Sequence, residues 1–174
     1  MTGEITKALA TLFPGGGVVE LRALSARGVH SGYFDDFAAL AEKAANLDVL
    51  PDVGGVYVTL NEVDPALLSR RANRVQMDIG RKDPTTGDSD VLRRRWLPVD
   101  LDPVRPSGVS STDAEHEAAL ARAREIAAFL GQEAGWPDPV IADSGNGAHL
   151  LYRIDLPNDG ESADLVKACL AVLD

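Results

Sequence analysis

Hydrophobic and polar positions change period several times along the chain, and each change marks an element. A short helix is expected over residues 4–13, closed by the breaker run Pro14-Gly15-Gly16-Gly17. Residues 18–24 read as a strand and residues 25–34, with His30, Gly32 and Tyr33, as a loop. Asp35 is placed to cap a helix over residues 36–46, where Phe37, Leu40, Ala41 and Ala44 recur at helical spacing. After a turn at Pro51-Asp52-Val53-Gly54, residues 55–61 alternate: Val56, Val58 and Leu60 face one way, Tyr57, Thr59 and Asn61 the other. Asp64-Pro65 is a cap followed by proline at the first helical position, which starts a helix to about Arg74. Residues 80–91 are polar and rich in breakers, and form a loop leading to the next strand.

That strand is Arg95-Trp96-Leu97-Pro98-Val99-Asp100-Leu101-Asp102-Pro103. Leu97, Val99 and Leu101 alternate with Trp96, Pro98, Asp100 and Asp102, so the two carboxylates share a face, with Cα atoms about 7 Å apart. Pro103 and Pro106 stop the strand. Thr112 and Glu115 have the spacing of a capping box for a helix running to about Ala134, with the stripe Ala119, Ala123, Ile126, Ala127 and Leu130; Gly135 and Pro137 end it. His116 and Glu117, in its first turn, read as surface residues. Residues 139–144 and 148–156 are two strands around Gly145-Asn146-Gly147, where Asn-Gly is a strong hairpin signal. With Asn146 and Gly147 as the two turn residues, Ser144 stands opposite His149, and Arg153 shares their face. Ile141, Leu150, Tyr152 and Ile154 take the core face. A helix over residues 161–173 follows, with Leu165, Ala168, Cys169 and Val172 inward. This order of elements indicates an α+β (mixed α/β) fold with a partly antiparallel sheet.

Composition narrows the reading. At 174 residues, 45 % hydrophobic and 25 % charged, the chain is expected to form one domain, residues 1–174, with a real core. Nothing approaches a membrane-spanning run of about 20 apolar residues, the N-terminus lacks the pattern of a signal peptide, and a single cysteine fits a reducing cytoplasm. No membrane partner is expected. The net charge of −10 argues against a purely electrostatic nucleic-acid binder. Between Arg70 and Arg105, however, nine basic residues outnumber six acids. Asp100 and Asp102 repel one another unless a cation sits between them, and Mg2+ or Mn2+ prefers such oxygen ligands. Carboxylates for metal beside Ser144, His149 and Arg153 as donors for an anion are the equipment for phosphoryl or nucleotidyl transfer. A polar strand end and a self-satisfied hairpin mouth remain the plain alternatives.

Val99-Asp100-Leu101-Asp102, followed by Asp143-Ser144-Gly145-Asn146-Gly147-Ala148-His149, resembles the archaeo-eukaryotic primase superfamily. The similarity is to the primase-polymerase branch of plasmid, phage and mobile-element replication proteins and covers roughly residues 54–157. Val56-Tyr57-Val58-Thr59-Leu60-Asn61, Arg70-Arg71-Ala72-Asn73-Arg74 and Asp102-Pro103-Val104-Arg105-Pro106-Ser107-Gly108 add to it. The resemblance implies a modified RNA-recognition-like sheet with flanking helices, joined to an N-terminal α/β unit. It implies a DNA-directed nucleotidyltransferase that adds nucleotides to a 3′-hydroxyl, with nucleoside triphosphates, a DNA template and a fused or separate helicase as partners. Asp100 and Asp102 would be the catalytic metal ligands, and Ser144 and His149 the triphosphate contacts. Arg93, Arg94, Arg105 and Arg153 are further phosphate candidates, and Asn61 is a candidate lining the same groove. The family carries a third carboxylate on a later strand, and Asp174 is not preceded by one, so the catalytic domain is expected to be incomplete at its C-terminus. Alternatives are a non-catalytic nucleotide- or partner-binding module of this fold, and a metal-dependent nuclease or phosphohydrolase.

Overall fold

Residues 25–34, expected as a loop, instead supply the second arm of a hairpin. The computed structural model describes residues 2–80, 82–104, 106 and 109–173. The contacts group the chain into two compact units, Met1–Arg93 and Arg94–Asp174.

The first unit begins with α1 (Thr2–Leu12) and the hairpin β1 (Val19–Ser25) and β2 (Gly28–Phe34), followed by α2 (Phe37–Asp48) and β3 (Val53–Val58). A short 3-10 helix (Pro65–Arg70), β4 (Gln76–Ile79) and a single 3-10 turn (Asp88–Asp90) complete it. The sheet order is β3-β1-β2-β4, antiparallel throughout. α1 and α2 cover one face, where Leu9, Phe13, Val19, Leu21, Ala23, Phe34, Leu40 and Leu47 are buried together. The cap of α2 is Asp36, whose carboxylate accepts from the amides of Ala38 and Ala39, and not Asp35. Asp64 caps as expected, but the helix it starts is 3-10 and ends at Arg70. Arg71 then leaves helical geometry and sends its guanidinium to Ser31 and Gln76.

β2 lacks a clean hydrophobic alternation because both of its faces are buried and one carries polar groups. On that face Glu20 is fully buried, and its carboxylate accepts from Arg22, Ser31 and the Thr86 amide. Arg71 donates onward to the Ser31 hydroxyl at 3.1 Å. Burial pushes the Glu20 carboxyl up, but the hydrogen bonds from Arg22, Ser31 and Thr86 outweigh it and hold it below its ordinary 4.5. Val18, Tyr33, Val63 and Leu67 form a small second core on the same side.

The second unit comprises β5 (Arg93–Leu101, entered from the last residue of the first unit), α3 (Asp113–Ala134), β6 (Val140–Asp143), β7 (Ala148–Pro157) and α4 (Gly160–Leu173), with sheet order β5-β7-β6. β6 and β7 pair antiparallel. Arg95 pairs with Asp155 towards one end of β5 and β7, and Asp100 with His149 towards the other, so these strands also run in opposite senses. β5 and β6 are therefore parallel on either side of β7, a split β-α-β arrangement. α3 carries the expected capping box at Thr112 and Glu115 and ends at Gly135, whose φ of 66° is the left-handed geometry glycine adopts freely. Leu97, Val99, Ala123, Leu130, Ala148, Leu150 and Tyr152 are the core between sheet and helices, and Trp136 meets Tyr152 edge-on at 4.7 Å.

Two expected core assignments are corrected. In α4 the inward residues are Val166, Leu170 and Leu173, whereas Leu165 and Val172 are exposed. Asp159 accepts from the amide of Ser162 in the first turn; Ser162 is buried, and positions 166 and 170 follow it on the same face at four-residue intervals. Ile141 lies on the core face but at the edge strand and is 45 % exposed. Both units are mixed α+β, and among the described residues no helix is long and apolar enough to cross a membrane.

Glu20→Ala is expected to destabilise the first unit by roughly 3 kcal/mol, because Arg22 and Ser31 lose their buried acceptor. Since the folded pKa of Glu20 is depressed, its contribution is present above the ordinary carboxylate range and fades as pH falls through it. Chemical denaturation of both proteins at pH 7 and near pH 3 checks this: the difference at neutral pH is expected to shrink in acid.

Candidate functional site

The face of the second sheet opposite its helices carries the residues singled out by sequence. β5 alternates as expected, with Leu97 and Val99 buried in the core and Pro98 and Asp100 exposed on the other side. Asp102 follows just past the strand end and is exposed. β7 lies alongside, and the imidazole Nε2 of His149 sits 3.1 Å from Asp100 Oδ1. Further along the same two strands, the Arg153 guanidinium lies 5.1 Å above the ring of Trp96. Arg153 thus has an aromatic partner, and Trp96 is buried on the face that also holds the acids.

What joins the acidic strand to the hairpin is a missing side chain. A Cβ at Gly147 would overlap the carbonyl oxygen of Leu101 and come within 2.7 Å of Asp102 Oδ1. Backbone therefore approaches backbone here, and the Asp102 carboxylate is held against the start of β7. Asp100, Asp102, Gly147 and His149 consequently share one edge of one face.

The hairpin turn is longer than Asn146-Gly147 alone. Ala142 pairs with His149 and Asp143 with Ala148, so four residues, Ser144 to Gly147, make the turn. The Ser144 amide donates to the Gly147 carbonyl, and the Ser144 hydroxyl accepts from the Gly147 amide at 2.9 Å. Ser144 is thus not the cross-strand partner of His149: its side chain stabilises the turn. The reason is local. Gly145 takes a positive φ of 80°, and the Asp143 carboxylate accepts its amide at 2.7 Å, an Asx-type turn that extends the loop by two residues.

Asp143 and His116 are residues whose role here the sequence did not disclose. His116 Nε2 lies 2.7 Å from Asp143 Oδ1, tying the first turn of α3 to the hairpin. The Gly145 amide, and after it His116, hold the Asp143 carboxyl below its ordinary 3.8. The Asn146 side-chain oxygen accepts from the amide and hydroxyl of Ser111, a second tie between the turn and the segment before α3. The only sequence signals for these contacts were the acid before Ser-Gly and the histidine in a helix's first turn, neither specific enough to pair them.

The remaining candidates divide. Asn61 belongs to the first unit, where it lines a cavity with Glu20, Arg22 and Tyr57. Arg105 lies outside the described residues, as does Asp174. Two exposed carboxylates on one face fit a hard divalent ion, since Mg2+ is commonly held by one or two carboxylates with water and phosphate oxygens completing its shell. Among the described residues no group of three or more His, Cys, Asp or Glu side chains is arranged to hold a metal. Comparison with protein-family models, characterised proteins and solved structures returns no match.

The close approach at Gly147 gives a direct test. Gly147→Ala is expected to cost about 1–3 kcal/mol, the usual penalty for forcing an atom into packed backbone, and to displace Asp102. Thermal melting reads the first effect. A melting temperature equal to that of the parent protein would show that the hairpin does not press against the end of β5.

Proposed function

We propose that the second unit is the metal- and nucleotide-binding part of a DNA primase-polymerase-type nucleotidyltransferase, working with Mg2+ or Mn2+ on nucleoside triphosphates and a DNA template. The observation that carries this reading is the meeting of Asp100, Asp102 and His149 on one sheet face around Gly147. The strand order β5-β7-β6, with a helix after the first strand and another after the third, also agrees with an RNA-recognition-like sheet. The acidic strand and hairpin also resemble those of primase-polymerases in sequence.

The chemistry follows from the chain's own groups. Asp100 and Asp102 would hold the divalent ion, which in such reactions stabilises the charge on attacking and leaving oxygens. His149, whose Nε2 lies 3.1 Å from Asp100 Oδ1, would offer a hydrogen-bond donor to a phosphate oxygen on the same face. The hairpin backbone, fixed by Asp143, Ser144 and Asn146, keeps His149 in register with the acids. Arg153, already stacked on Trp96, offers a fixed positive charge on the same face.

Primer extension on a DNA template with Mn2+ tests the reading. Any incorporation by the chain is expected to be abolished in Asp100→Asn or Asp102→Asn, with the melting temperature nearly unchanged. His149→Ala is expected to weaken nucleotide binding by about 1–3 kcal/mol, the range for a charge-assisted donor. Strand cleavage that needs the same aspartates, without incorporation, would replace this function with a nuclease.

A further inference from the structure

The first unit holds a cavity of about 410 Å3 on the sheet face opposite α1 and α2, within the usual range for a small-molecule site. Its floor is β1 and β3, and its wall is the segment around Thr86 to Asp88. Beneath it lies the buried carboxylate of Glu20, whose oxygens are taken up by Arg22, Ser31 and the Thr86 amide. This network fixes the guanidinium of Arg22, which also donates to the Thr86 carbonyl and remains one-third exposed in the cavity.

At the rim stands Tyr57, 56 % exposed although it is large and aromatic. Its position depends on the residue two places earlier on the same face. A Cβ at Gly55 would come within 2.5 Å of the Tyr57 hydroxyl oxygen and 2.8 Å of its ring. The ring therefore leans back along the strand over Gly55, as an aromatic surface that no side chain at position 55 disturbs.

The charges decide the ligand. Arg22 is neutralised by Glu20, and Asp88 adds a negative group to the lining, so the cavity lacks the positive surplus that a phosphate requires. A ring for stacking, a fixed guanidinium donor and the hydroxyl of Thr59 suit a planar, uncharged, hydrogen-bonding heterocycle.

We propose that this cavity is a nucleobase-binding site in which the base stacks on Tyr57 and turns its polar edge to Arg22. The base could belong to a free nucleotide or to a single strand passing over the sheet; the recognition chemistry is the same. The site uses none of the carboxylates of the second unit, so it stands or falls separately from the nucleotidyltransferase reading.

The test is fluorescence titration of the whole chain with 2-aminopurine nucleoside monophosphate and with a short oligothymidylate carrying one 2-aminopurine. EDTA is present throughout, to suppress metal-dependent binding at Asp100 and Asp102. Stacking on Tyr57 is expected to quench the probe. Tyr57→Ala is expected to weaken binding about tenfold, the range of one base-aromatic stack, while Tyr57→Phe binds as the parent does. Gly55→Val, which pushes the ring from its seat, is expected to resemble Tyr57→Ala, and the Asp100→Asn, Asp102→Asn double variant to bind normally. Tighter binding of the oligonucleotide would identify a strand as the source of the base, and equal binding a free nucleotide. Failure of both probes to bind, unchanged binding by folded Tyr57→Ala, or loss of binding in the double aspartate variant would overturn the proposal.

Discussion

The contact on which the candidate site depends is one in which a side chain is missing. At Gly147 the turn of the β6–β7 hairpin lies directly on the end of β5, leaving no room for a Cβ between it and the Leu101 carbonyl or the Asp102 carboxylate. This approach aligns the two strands so that His149 faces Asp100, and it sets Asp102 against the start of β7. Close-packed backbone tolerates little adjustment, which is why a glycine can govern a polar site to which it contributes no functional group.

The hairpin is held by more than its own ladder. Asp143 accepts from Gly145 and meets His116 on α3, and Asn146 accepts from Ser111, so the turn is anchored on both sides by neighbouring chain. Ser144 spends its hydroxyl on the Gly147 amide. Ser144, which looks like a reagent in the sequence, thus acts with Asp143 and Asn146 to hold the turn. The candidate groups left on the face opposite the helices are Asp100, Asp102, His149 and the stacked Arg153.

The first unit solves a different problem, the burial of a carboxylate. Glu20 sits on the polar face of a central strand, where an ionised acid is tolerable only with its oxygens satisfied. Arg22, Ser31 and Thr86 satisfy them, and Arg71 extends the network through Ser31. The same bonds fix the guanidinium at the floor of the cavity that Tyr57 borders.

Period-two alternation determined the face assignment of Asp100 and Asp102, and short-range capping chemistry determined where α3 starts and stops, because both depend only on neighbours in the chain. The hairpin was legible for the same reason, but its four-residue turn was not: Asn-Gly signals a tight turn, and the side chain of Asp143 redirected it. β2 and the inward face of α4 were hidden as well. A strand buried on both faces has no hydrophobic alternation to read, and α4 is apolar at Leu165, Val166 and every position from Ala168 to Leu173, so two stripes compete for the inward face. The division into two units, the pairing of His116 with Asp143 and the seat of Tyr57 over Gly55 join groups whose meeting leaves little trace in local pattern. Local sequence set the elements and their polar faces; only the tertiary packing, through backbone contacts that no single residue announces, decided which of those faces meet.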